Sequence, residues 1–213
     1  MRYSGLPTGM WLLLKKSFEK NLVNDLGLTK NEARTVRLKA KSKYRRIIED
    51  LPEFEKEDRF RTNIVNCAML ISFLSYLPEK PDVNEVTRYY EDAMTIPFLK
   101  KMCRKSGKIK FSEKDIASMK KTEKLKAADR NPYSWNMDYL PYEDGSGYEA
   151  RFYKCGICVL MKAYGLFEYV PAMCHLDYVM SELGGASKFV REYTLASGGP
   201  YCDCGYKKNI VQD

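Results

Sequence analysis

The residues best equipped for chemistry are cysteines gathered toward one end of the chain. They are Cys155 and Cys158, Cys174 within the stretch MCHLD, and then Cys202 and Cys204. The C-x2-C spacing of the first pair is that of a zinc site. Fifteen residues then separate Cys158 from Cys174, and twenty-seven separate Cys174 from the C-x-C pair, so only the first pair keeps metal-ligand spacing. A thiolate is also a nucleophile, and a carboxylate beside it can hold or move a proton. For His175, the single histidine, a dyad with Asp177 is the disfavoured reading, and a role toward another group from the first turn of the helix stays open. On a helix turning about 100° per residue the two lie about 160° apart, whereas Cys174 and Asp177 lie about 60° apart. Cys174, Asp177, Tyr178 and Ser181 then share a face. Against each thiol stands its ordinary use as a small buried hydrophobe, which is how isolated Cys67 and Cys103 are read. His175 in turn can be a surface residue, and Asp177 can simply favour a helix N-terminus. Arg191 falls on an alternating segment with Phe189, Tyr193 and Leu195 on its face, either as a carboxylate clamp or as a packed, snorkelling side chain.

The elements that must position these groups come in two kinds. Residues 1–130 read as helices: Lys15 to Leu26, stopped by Gly27, then a long basic helix to Leu51 opened by the capping box Thr29 and Glu32. Ala33, Val36, Ala40, Tyr44, Ile47 and Ile48 form the buried stripe of that second helix. A central helix follows from about Asp58 to Tyr76. A helix pair over Pro81 to Cys103 is broken or kinked at Pro97, and a lysine-rich helix from Lys114 to Ala128 follows a start signal at Ser112. After Asn131-Pro132 the period changes. Tyr148 to Lys154 alternates as a strand after the turn Asp144-Gly-Ser-Gly147, Cys155 to Tyr164 is helical, and the MCHLD stretch opens another helix. Lys188 to Ala196 and Tyr201 to Lys207 make a hairpin. The expected fold is α+β: an N-terminal helical bundle over residues 1–130, then a small antiparallel sheet with helices on one face in a cysteine-containing module over 131–213.

The net charge of +8 is unevenly placed, because residues 1–130 hold 29 of the 36 Lys and Arg but only 18 of the 28 Asp and Glu. Lys and Glu are interspersed at helical spacing and no groove-reading motif is present, so the basic helices read as solvated faces and nucleic-acid binding is disfavoured. No glycine-rich phosphate loop, G-x-S-x-G elbow or H-E-x-x-H is present. The most apolar run, Ala68 to Leu77, is too short to span a membrane. With seven cysteines, an odd number, and no secretory apolar region ahead of them, the thiols are expected reduced and the protein cytoplasmic.

Trp135, then YEARFYKC ending at Cys155, CHLD from Cys174 to Asp177 and TLASGGPYC from Thr194 to Cys202 follow one another as they do in the L-2-amino-thiazoline-4-carboxylic acid hydrolase family of bacterial proteins, which this chain resembles. LPEF after the long helix and NIVNCAMLISFLSYL beyond it extend the resemblance over nearly the whole chain. The resemblance implies a hydrolase that opens a cyclic amidine, so that 2-aminothiazoline-4-carboxylate and water give a carbamoyl-cysteine. It carries over Cys155, Cys174, Asp177 and Cys202, while His175, Cys158 and Cys204 are not family features. Two mechanisms fit. In one, Cys174 or Cys202 attacks the amidine carbon and Asp177 keeps the amidinium protonated and oriented. In the other, Cys155, Cys174 and Cys202 hold one zinc or iron that activates water. Arg191 would bind the substrate carboxylate in either. A non-catalytic sensor or scaffold that binds a metal or small ligand is the alternative from another class.

Overall fold

The computed structural model describes residues 1–209. The chain is α+β, with helices α1 (Leu6–Asn24), α2 (Lys30–Asp50), α3 (Arg61–Leu74), α4 (Val83–Met94), α5 (Pro97–Gly107), α6 (Glu113–Ala127), α7 (Gly156–Ala163) and α8 (Val170–Gly184). Its strands are β1 (Asp138–Pro141), β2 (Gly147–Phe152), β3 (Ser187–Val190) and β4 (Cys202–Lys208). One compact unit comprises Met1–Ile96, Asn131–Tyr133 and Gly156–Met173, and the other Pro97–Arg130, Ser134–Cys155 and Cys174 onward.

The first unit is built on helix stripes. Thr29 caps α2 reciprocally, its hydroxyl accepting from the Glu32 amide at 3.3 Å while its own amide donates to Glu32 Oε2 at 2.8 Å. All six residues of the expected stripe are buried. α1 begins well before Lys15, because Pro7, Met10, Trp11 and Leu14 carry the same three- and four-residue spacing back to a proline in the first turn, where its missing N–H costs nothing. Trp11 stacks on Tyr44 at 5.4 Å and on Phe73 at 5.8 Å, and Phe18 meets Phe73 at 5.0 Å, which binds α1, α2 and α3 through aromatic faces. α3 is buried at every position from Ile64 to Leu74 and is central, as expected. Of the break or kink expected at Pro97 the structure shows the break: α4 ends at Met94 and Pro97 stands as the first residue of α5.

The second unit holds the sheet, ordered β1-β2-β4-β3 with every pair antiparallel. β1 has no counterpart in the expected strand, two helices and hairpin. DYLP is too short and too polar to announce itself, and it forms by pairing Asp138 with Arg151 through Pro141 with Tyr148. β3 stops at Val190, six residues short of Ala196. The cause is Asp203, whose two carboxylate oxygens take the Glu192 and Tyr193 amides at 2.9 and 2.6 Å, removing the donors a continuing strand would need. Helices cover the sheet face bearing Tyr148, Ala150, Phe189, Cys202 and Cys204. Tyr178 of α8 meets Phe189 edge-on at 4.7 Å, Ser181 bonds Ser187, and Asp115 of α6 accepts from the Tyr148 hydroxyl at 2.7 Å. α5 lies against α8 where Gly107 meets Gly184, and a Cβ on Gly107 would collide with the Gly184 carbonyl. Among the described residues no helix is long and apolar enough to cross a membrane.

Candidate functional site

α8 begins at Val170, running on from a 3-10 turn over Phe167–Tyr169. This start, earlier than MCHLD, puts Cys174 in its second turn and Asp177 mid-helix, too far from the N-terminus for the helix dipole to account for the aspartate. Helical geometry then sets the faces as expected. The Cys174 thiol is close enough to Asp177 and to Arg191 to feel both charges, whereas the His175 ring lies beside Tyr178, with centroids 6.3 Å apart.

Arg191 follows directly on β3. Its Nη1 donates to Asp177 Oδ2 at 3.0 Å, and its Nη2 donates to the Cys174 carbonyl at 3.1 Å. The guanidinium carbon lies 5.2 Å from the ring centres of both Tyr178 and Phe189. The Arg191 side chain is only 6% exposed, whereas that of Asp177 keeps 43% of its surface accessible. Desolvation pushes the Asp177 carboxyl up to about 6, opposed by the Arg191 charge and its hydrogen bond. Because solvent still reaches it, Asp177 behaves as a carboxyl at the lip of a buried region, with the upward direction preserved.

The thiols around this pair differ in character. All seven cysteines are thiols and none is in a disulfide. Burial pushes Cys174 up to about 12; Asp177, Cys155 and Cys202 add to the rise and Arg191 opposes it. Cys204 is raised further, by burial first and then by Asp177. Cys202 is raised by burial as well, but the Leu195 amide donates to its sulfur at 3.2 Å and works the other way. Charge on a backbone-bonded sulfur is stabilised, so of Cys174, Cys202 and Cys204 it is Cys202 that is best disposed to act as a thiolate. Cys204, which family resemblance leaves aside, belongs to the same group. Its signal was the two-residue spacing, which on β4 puts both sulfurs on the helix-covered face.

Cys155, Cys174 and Cys202, the residues named for a metal, are close enough for their charges to be felt mutually. They do not converge as ligands. Among the described residues no three His, Cys, Asp or Glu side chains are placed to hold a metal ion. The zinc or iron reading therefore lacks its donor set, and no step is drawn through a metal. Cys158 lies on α7, in the other compact unit.

An open groove of about 640 Å³ runs along the other face of the sheet, with Tyr142, Glu149, Glu192, Asp203 and Lys207 among its walls, and Arg191 lines it too. A second hollow, near Met1 and Glu53, is remote in sequence from every thiol of the group. Arg191 thus belongs both to the groove and to the Asp177 pair. A family model described as L-2-amino-thiazoline-4-carboxylic acid hydrolase matches residues 69–206, well over half of the chain and inclusive of every residue of this site. No curated protein and no solved structure matches the chain.

Proposed function

We propose that this chain, which belongs to the L-2-amino-thiazoline-4-carboxylic acid hydrolase family, hydrolyses a small cyclic amidine bearing a carboxylate, converting 2-aminothiazoline-4-carboxylate and water into a carbamoyl-cysteine. The observation that carries the reading is the Arg191–Asp177 pair beside a thiol whose sulfur already accepts an amide hydrogen. Cys202 gives its proton to Asp177 and adds to the ring carbon between sulfur and nitrogen. The bond from that carbon to the ring sulfur breaks, and the departing sulfur takes the proton from Asp177, which returns to its carboxylate form. Water then adds to the same carbon and expels the Cys202 thiolate, leaving the carbamoyl group on the product nitrogen. Asp177, with a pKa of about 6, is ionised at neutral pH and pairs with the amidinium. Cys174, pushed up to about 12, remains a neutral thiol and acts as a hydrogen-bond donor to the site. Arg191, which stands beside both Asp177 and the thiols, meets the substrate carboxylate. The reduced thiols support a cytoplasmic location.

The test is incubation of the purified protein with 2-aminothiazoline-4-carboxylate, following the new thiol by colorimetric titration and the product by mass. Cys202→Ser and Asp177→Asn are each expected to lower turnover by about 100-fold or more. Full activity in Cys202→Ser would overturn the nucleophile. Binding without turnover in the unaltered protein would assign it instead as a ligand-binding sensor.

A further inference from the structure

The segment between Arg191 and Cys202 is fastened to β4 from both faces of the sheet. Cys202 and Asp203 are adjacent, so their side chains point to opposite sides. On one side the Asp203 carboxylate takes the Glu192 and Tyr193 amides. On the other, two residues further along, the Leu195 amide is delivered to Cys202 Sγ. The segment thus wraps around the strand between two adjacent anchors. Its turn is internally braced: Thr194 caps the 3-10 turn Leu195–Ser197 through its hydroxyl, which accepts from the Ser197 amide at 3.0 Å. Gly198 closes the turn at φ 82°, and the Gly199 amide returns to the Thr194 carbonyl at 2.9 Å. Gly199 packs so closely on Thr194 that a Cβ there would press on the Thr194 carbonyl at 2.9 Å.

We propose that Asp203 and Thr194 are positioning residues for the reaction: they hold the Leu195 amide on the Cys202 sulfur and so set how readily that thiol becomes a nucleophile. The inference rests on the reading of Cys202 as the attacking group, yet it can be tested without turnover. Neither side chain touches the reacting atoms. Asp203 acts through two backbone amides and Thr194 through one, and the donor that reaches sulfur is itself backbone. A hydrogen bond to a charged group is stronger than one to a neutral group, so losing the Leu195 donor should lower the thiolate fraction of Cys202 about tenfold at neutral pH.

The experiment measures the rate of iodoacetamide labelling at Cys202 against pH, read by peptide mass, in the unaltered protein and in Asp203→Ala, Asp203→Asn and Thr194→Val. Labelling at Cys103 and Cys158, thiols outside this group, serves as the internal reference in the same samples. Asp203→Ala and Thr194→Val are expected to move the Cys202 profile to higher pH by about one pH unit, with the reference thiols unmoved and circular dichroism unchanged. Asp203→Asn, which keeps one acceptor oxygen, should recover part of the shift. With substrate, kcat should fall and KM should hold. An unmoved Cys202 profile in both Asp203→Ala and Thr194→Val overturns the proposal. If instead the profile moves but the unaltered protein turns over no substrate, the positioning stands and the hydrolase reading fails. Should Asp203→Ala not fold, Thr194→Val and Asp203→Asn decide alone.

Discussion

Replacing Arg191 with methionine tests the centre of the site, because one guanidinium draws down the pKa of Asp177, Cys174, Cys202 and Cys204 together and so favours their ionised forms. Methionine keeps an apolar stem between Tyr178 and Phe189 and removes the charge. An opposite charge within about 4–6 Å lowers a carboxyl pKa by roughly 1–3, and the Arg191 contact is 3.0 Å. Since 43% of the Asp177 side chain meets solvent, the low end of that range applies. The ascending limb of kcat/KM, set near pH 6 by Asp177, should therefore move to about pH 7. Every thiol moves in the same direction, so no compensating shift pulls the limb back. Breaking a fully buried ion pair costs about 3–5 kcal/mol, and exposure of the carboxylate reduces this to about 2 kcal/mol here. The assays are a pH–rate profile from pH 5 to 9 and urea unfolding of the same samples. Arg191→Lys, which restores charge without the fork, should return the limb most of the way while recovering less of the stability. A limb that stays near pH 6 in Arg191→Met, with turnover retained, would refute the assignment of Asp177 as the ionisation that limits the reaction.

Three further outcomes are expected. The Asp177 carboxyl sits above its ordinary 3.8 at about 6 in the folded chain, so it binds its proton more tightly folded than unfolded. Its contribution to stability is complete below about pH 4 and is lost as pH rises to about 6; urea midpoints of the native chain relative to Asp177→Asn should fall across that window and level above it. Gly107→Ala should destabilise the protein by about 2–3 kcal/mol in thermal or urea unfolding, since its methyl meets backbone at Gly184 and not a side chain that can swing aside. Lys126→Met should cost about 2–3 kcal/mol, because the buried ammonium bonds Asp129 at 2.7 Å and Ser134 at 2.6 Å and ties the end of α6 to the segment entering β1. A loss below 1 kcal/mol would show that the pair is replaceable by packing.

What the sequence made legible was local. The Thr29–Glu32 capping box, the α2 stripe and the same-face relation of Cys174 and Asp177 each depend on residues three or four apart, and each stands as expected. What stayed hidden was set at a distance. The end of β3 is decided by an aspartate on β4, and Arg191 finds Asp177 across fourteen positions. β1 exists only because β2 offers it an edge, and its own four residues carry no alternation to announce it. Cys204 was visible as a position but not as a member of the site, because burial and partnership belong to the folded sheet and not to spacing.

The strand order has a consequence for how the protein is made. β4 is the last of the four strands to leave the ribosome, yet it lies between β2 and β3 and is the only sheet partner β3 has among the described residues. Until β4 emerges, β1 and β2 can pair as a hairpin while β3 waits with an open edge, the condition in which nascent chains aggregate. The same strand carries Cys202 and Cys204. Closing the sheet and bringing the two sulfurs under α8 are therefore one event, and the thiol group is assembled only when the edge hazard ends.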